Sequence, residues 1–340
     1  MATVTGRADQ VSAAPGQGPS AMKVGAAFAI VYLAWGGTYF FIRLSVEHIP
    51  PMLVGALRYV TAGVAMLLWC VFTKKNIFSW RAIRPAAVSG LLLLVGGNGL
   101  LIWAEQYIPS SLAAILLASG PIWFVVLDRS KWRENFRSKA TIAGLIVGSA
   151  GVLMLFGQKL REEAGQGAGG NREMAALAML VVASISWAAG SLYSKYKAVG
   201  ISNSVNAGWQ MMVAGIAFVL CSAVSGEFGH FSLREVPLSA WWAIVYLVTL
   251  GSLLGYSAFT WLLQVRPATQ VSTHAYVNPV VAVLLGVFFA GESLSWLQLV
   301  GLMVILTSVL LINLAKYRAE ARMRGNKWGS KGVLVPGDTL

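Results

Sequence analysis

The sequence predicts an all-α polytopic membrane protein: ten transmembrane helices in two inverted five-helix repeats, with the N and C termini both cytoplasmic. Three observations lead there: the composition, ten apolar runs of spanning length, and landmarks that recur at a fixed offset between the halves. Hydrophobic residues make up 57% of the 340 positions and charged residues only 11%, with a mean hydropathy of +0.67. Soluble domains carry roughly a quarter charged residues. The net charge of +13 would suit nucleic acid, but the cations sit between the apolar runs. Topology and contact with anionic headgroups account for them, so the expected partners are a lipid bilayer and a small-molecule substrate, and no nucleic acid. Cys70 and Cys221 both lie inside apolar runs, toward opposite faces, and no disulfide is expected between them.

A span needs about 20 residues at ~1.5 Å each. Residues 1–22, rich in Ala, Gly, Ser and Gln, read as a disordered tail without a signal-peptide pattern. The first repeat occupies 23–158 and holds the runs Val24–Val46, Met52–Phe72, Pro85–Ala104, Pro109–Leu127 and Ala140–Gly157. Arg43 and Glu47, four apart at the end of the first run, suit a local helix-end ion pair. Pro109 opens the fourth run, where proline is tolerated, and Pro121 falls at mid-span. Gly144-x-x-x-Gly148 in the fifth allows close helix packing or a dimer contact. The longest connection, QKLREEAGQGAGGNRE over Gln158–Glu173, is a flexible polar linker with its centre at 159–172.

The second repeat, 173–318, holds Met174–Tyr193, Val205–Val224, Ala240–Leu263, Pro267–Ala290 and Leu294–Leu314. Trp241 and Trp242 open the eighth run as interface-belt residues, and Gly251-x-x-x-Gly255 inside it suits a cavity-side contact. Residues 319–340 form a basic cytoplasmic tail. With the N-terminus placed inside, the inner segments carry eighteen Lys and Arg and the outer loops four, Lys159, Arg161, Arg172 and Arg234.

The halves match each other. AWGGTYF around Trp35 pairs with SWAAGSL around Trp187 at an offset of 187 − 35 = 152, and Ala62-Gly63 pairs with Ala214-Gly215 at the same offset. Trp103 and Trp261, Pro109 and Pro267, and Pro121 and Pro279 pair at 158. Five spans per half is an odd number, so the second half is upside down. Inverted repeats with interrupted helices at their interface place a transporter's site near the bilayer midplane.

Five motifs then resemble one family: Ala34–Phe40 (AWGGTYF), Arg58-Tyr59, Gly97-Asn98-Gly99, Ser184–Gly190 (SISWAAG), and Ala275–Gly286 with Gly291-Glu292. The chain is similar to the EamA branch of the drug/metabolite transporter superfamily over about residues 24–316. The resemblance implies a ten-helix basket in the bacterial inner membrane that exports small metabolites through a central cavity. It does not imply one solute.

The ninth run carries a polar row, Gln270, His274 and Asn278, each four apart and so on one helical face. Pro279 follows at mid-span and frees the carbonyl of Ala275. In lipid such a face must look into protein or water. The repeat partners of the row are Leu112, Leu116 and Gly120, so only one half carries it. His274 lies about 10 Å from the inner end of its helix, where a proton-coupling role and a neutral hydrogen-bonding role are both open. Amphipathic groups on other spans complete the candidate substrate site: Trp35, Tyr39, Asn98, Trp103, Trp187, Trp209, Tyr256, Trp261 and Tyr276, alongside His274 and Asn278. Aromatic faces offer a sequence-tolerant surface, and Tyr and Trp add a polar handle.

Arg58 lies about 9 Å inside the outer end of its helix. Glu105 and Glu292 are its candidate ionic partners, as an outer gate or as a static brace. Pro121 and Pro279 are the candidate helix breaks. No zinc spacing, phosphate loop or Ser-His-Asp set occurs, so neither cofactor nor metal nor enzymatic activity is expected. An intramembrane lipid enzyme would need a clustered nucleophile or acid–base set. The expected function is secondary export of amino acids, especially aromatic or neutral ones, or of related amphipathic solutes by alternating access. A lipid or lipid-linked-sugar translocase and a cationic-dye or multidrug pump are the alternatives, and a homodimer is left open.

Overall fold

The computed structural model describes residues 19–163, 170–198, 200–266 and 268–311, and these are helical with no strand among them. The helices are α1 Ala21–Val46, α2 Pro51–Phe72, α3 Trp80–Ala104, α4 Ser110–Leu127, α5 Lys139–Glu163, α6 Gly170–Lys197, α7 Asn203–Val224 and α8 Leu238–Val265. After them come a two-piece α9, Ala268–Val271 and His274–Phe289, and α10 Trp296–Leu311. Eight are long and apolar enough to cross a membrane, and the last two are shorter apolar helices. Large apolar side chains such as Leu68, Phe72, Leu220, Val224 and Phe288 stand exposed on the outside, as lipid-facing positions do. The expected C-terminal tail, residues 1–18 of the expected N-terminal one and the centre of the linker lie outside the described residues, while Ala21 and Met22, expected in the disordered tail, open α1. The linker's margins, up to Glu163 and from Gly170, continue the helices α5 and α6.

The halves join where α2 and α7 cross. A Cβ on Gly63 would stand 2.7 Å from the Met212 nitrogen, and one on its repeat partner Gly215 would stand 2.6 Å from the Val60 nitrogen. Gly55 faces the ring of Phe218 and Gly208 faces Leu67 in the same seam. Small residues let the two backbones touch, which lipid itself does not drive. At the periphery Ser308 Oγ donates to the Gly144 carbonyl at 2.6 Å, and a Cβ on Gly148 would strike Ser308 and Ile122. The small-residue motif of α5 is thus a contact with α10 inside the chain.

Two departures from plain helices bear on the site. Residues Leu91–Gly99 of α3 and Leu247–Tyr256 of α8 wind as π-helix, in corresponding places of the two halves. A π-turn leaves carbonyls without their usual partner, and each segment takes one donor from a neighbouring helix. Ser186 Oγ donates to Leu92 O at 2.7 Å, and Trp35 Nε1 donates to Gly251 O at 3.0 Å. The other departure is interruption. α4 breaks at Ala118-Ser119, just ahead of Pro121, which then sits in the first turn of the next piece. α9 breaks at Ser272-Thr273, whereas Pro279 lies within a continuous helix, so the interruption expected at that proline falls nearly two turns earlier.

The crossing gives opposite signs for one substitution at two places. Gly157 has nothing within 4 Å of an added Cβ, so Gly157→Ala gains helix propensity of about 1 kcal/mol. Gly63→Ala forces backbone apart and is expected to cost about 1–3 kcal/mol. Thermal unfolding in detergent checks both; a Gly63→Ala midpoint at or above the parent's would refute the close crossing.

Candidate functional site

Between the halves lies a narrow cavity, about 780 Å³ of empty space counted out through its mouth. Its floor is aromatic. Trp35 and its repeat partner Trp187 meet edge to face at 5.3 Å between centroids, and His274 meets Trp35 edge to face at 5.2 Å. Phe259 stands behind them, 4.8 Å from Trp35 and 5.4 Å from Trp187. Edge-to-face pairs of this kind are worth about 0.5–1.5 kcal/mol each beyond burial. They hold the rings in fixed orientations.

The polar wall draws on interrupted and π-wound segments, with Arg58 and Trp187 added from the plain helices α2 and α6. Asn278 Nδ2 lies 3.2 Å from His274 Nδ1, one turn apart on α9. With that amide as donor, Nδ1 accepts and the imidazole proton sits on Nε2. His274 Nε2, Asn278 Oδ1 and Trp187 Nε1 are buried with no protein partner. Arg58 is only 3% exposed. Its Nε donates to Ser252 Oγ at 2.9 Å in the α8 π-segment, and its Nη1 donates to Asn98 Oδ1 at 3.0 Å in the α3 π-segment. One guanidinium therefore ties both halves together through neutral partners.

Of the residues singled out from sequence, Trp35, Tyr39, Asn98, Trp187, Tyr256, His274 and Asn278 line this cavity, together with Arg58 and Pro121. Trp103 instead packs on Tyr107. Trp209 donates to the Ile77 carbonyl at 2.8 Å and packs on Phe78, in a separate cluster. Trp261 is half-buried and does not line the cavity. The Tyr276 side chain lies outside the described residues. Gln270 sits in the first piece of α9, so the break separates it from His274 and Asn278.

The expected pairing of Arg58 with Glu105 or Glu292 does not form. Among the described residues the ion pair present is the local one, Arg43–Glu47 at 3.1 Å. Glu292 serves another purpose. Gly291, at φ +64°, ends α9 in the left-handed conformation, and the Glu292 amide returns to the Gly286 carbonyl at 3.0 Å. The carboxylate then turns onto α4 and accepts from Ser110 N at 2.9 Å, Ser110 Oγ at 2.7 Å and Ser111 N at 3.0 Å. Glu227 caps α2 likewise, accepting from Met52 N and Leu53 N at 3.2 and 2.9 Å. Anions at helix N-termini satisfy free N–H groups and complement the dipole. Glu105 is fully buried with both carboxylate oxygens unpartnered, while Arg43 donates to its backbone carbonyl.

Sequence reasoning missed Tyr59 and Ser184 in the wall, and Gln210 beside it. Gln210 is the repeat partner of Arg58 (210 − 58 = 152) and is fully buried. It donates to Ser89 Oγ and Ser194 Oγ and accepts from Tyr256 OH at 2.9 Å. The offset was the signal that could have found it.

Residues 23–157 and 174–314 each match the EamA-like transporter family. The chain belongs to that family. It is 36% identical over 301 residues to the "Uncharacterized inner membrane transporter YedA" of Escherichia coli K12, covering 88% of this chain and 92% of the relative. A "Probable amino-acid metabolite efflux pump" of Salmonella typhimurium is 24% identical over 313 residues, covering 87% and 96%. A crystal structure 19% identical superposes with a TM-score of 0.61 over 88% of this chain and all of that one, which speaks to fold. The chain is a multi-pass membrane transporter of the drug/metabolite transporter superfamily.

Glu292→Gln removes the charge from the α4 cap. It is expected to cost about 1–2 kcal/mol, the range of a lost charged cap, seen as a lower unfolding midpoint in detergent. An unchanged midpoint would show that the serine contacts do not hold α4.

Proposed function

We propose that this transporter is a secondary exporter of small amphipathic metabolites, neutral and aromatic amino acids foremost, across the bacterial inner membrane. The observation that carries the reading is the cavity on the seam between inverted halves, whose lining combines packed aromatic rings with unpartnered polar atoms. A seam location suits alternating access, because rocking one half against the other exposes the same wall to each side in turn. The Salmonella relative, named a "Probable amino-acid metabolite efflux pump", points the same way.

The bond between His274 and Asn278 supports a neutral hydrogen-bonding role for the histidine in the wall. A cationic-dye pump is disfavoured by the Arg58 guanidinium in that wall. A lipid translocase would need a lateral route into the cavity. The apolar groove of Val147, Trp296, Leu299 and Met303, between α5 and α10, shares no lining residue with it.

Efflux or counterflow of radiolabelled amino acids in proteoliposomes tests the proposal. Vesicles inert across amino acids, purines and dyes would count against it. Trp187→Ala removes one aromatic contact to the solute, worth about 1.4 kcal/mol or roughly tenfold in rate. It is expected to slow initial transport by about that factor with the folded yield retained. Parent-like transport would remove Trp187 from the solute path.

A further inference from the structure

We infer that Arg58 is the solute's carboxylate receptor, so that the transported molecules are organic acids or zwitterions bearing an apolar ring. This deepens the exporter reading and rests on it. A guanidinium within a span is costly unless an anion or a full set of acceptors meets it. Arg58 has neither in this structure. Its Nε and Nη1 bond to Ser252 and Asn98, both neutral, and its guanidinium carbon stands 4.8 Å from the centroid of the Tyr59 ring, a further neutral partner. Among the described residues no carboxylate lies within 4.0 Å of it, and Glu292 is committed to the α4 cap. Glu105 is near enough to act on it electrostatically but not to bond it, and Glu105 does not line the cavity.

Nη2 is left with no acceptor. It stands beside Gly251, where an added Cβ would be 3.1 Å away, and both residues line the cavity. Glycine there keeps open the approach to the guanidinium edge. The rest of the wall is biased the same way. Trp187 Nε1 and His274 Nε2 are N–H donors without partners, the unpartnered hydroxyls of Tyr59 and Ser184 can donate as well as accept, and Asn278 Oδ1 is the one acceptor-only atom among these. A donor-rich wall around a cation favours an acceptor-only group, and a carboxylate matches the planar guanidinium edge. The Asn278 oxygen is left for a donor such as an ammonium, and the Trp35 and Trp187 edges face the ring.

Acid and amide pairs decide the matter in the parent protein. L-phenylalanine, L-tryptophan and 3-phenylpropionate are each compared with the corresponding primary amide by calorimetric titration and by counterflow. Each acid is expected to bind at least about tenfold more tightly than its amide, the scale of one charge-assisted hydrogen bond. Arg58→Gln is expected to bring acid and amide within about twofold while amide binding is retained. Equal binding of acid and amide by the parent overturns the Arg58 assignment and leaves the exporter reading standing. Failure of every acid and every amide to bind or move overturns both. If Arg58→Gln does not fold, the parent's contrast still decides. If it folds and keeps the parent's preference for acids, another group reads the carboxylate and the assignment falls.

Discussion

The crossing of α2 and α7 at Gly63 and Gly215 is a contact of backbone on backbone, and it sets what may stand beside it. In a bilayer, helices gain nothing by hiding apolar surface from one another, so close packing and internal hydrogen bonds must hold the halves. Bringing the two helices together places Arg58 of one and Gln210 of the other on the same seam, five residues before each crossing glycine. Neither can turn to lipid. Gln210 is satisfied by Ser89, Ser194 and Tyr256. Arg58 is satisfied only in part, by Ser252 and Asn98. The cavity therefore gathers polar atoms because the packing of its neighbours leaves them no other direction.

The π-wound stretches of α3 and α8 belong to the same logic. An α-helix closes every backbone bond upon itself and offers a neighbour nothing. Widening the turn releases a carbonyl and re-aims the side chains that follow. In α8 the released Gly251 carbonyl fixes the indole of Trp35; in α3 the Leu92 carbonyl fixes Ser186, next to Trp187. The two central indoles are thus oriented, one directly and one through its neighbour, by irregular backbone in the opposite half. Any relative motion of the halves must carry these bonds along or break them.

Much of this was legible without coordinates. Hydropathy marked the spans within a few residues, because a bilayer imposes one length on every crossing element. The 152-residue offset between Trp35 and Trp187 was a faithful guide, since matched positions in inverted repeats meet near the dyad and these two rings touch. What composition and spacing hid was winding. Nothing in LLLLVGGNG or LVTLGSLLGY signals a π-helix, because the cause lies in donors on other helices. Helical periodicity joined Gln270 to His274, and a turn at Ser272 separated them. Counting charges suggested that Arg58 should seek Glu105 or Glu292. Helix-end chemistry, which needs three-dimensional neighbours to be seen, had already engaged Glu292. Trp209 failed as a site residue for a plainer reason: an indole at a helix end finds a loop carbonyl first.

Comparing the halves position by position separates scaffold from solute recognition. Where the partners keep the same chemistry, as Gly63 and Gly215 and the two π-wound stretches do, the shared feature serves the pseudo-dyad and would be needed whatever is carried. Where they differ, the dyad gives no reason for the residue. Arg58 faces Gln210, His274 replaces Leu116 and Asn278 replaces Gly120. All three departures line one cavity, and all three leave a polar atom there without a protein partner. A symmetric hollow has no means to orient a lopsided molecule. The Arg58 cation from one half and the His274–Asn278 pair from the other make it unequal, as the proposed solute, with a charged end and an apolar ring, requires.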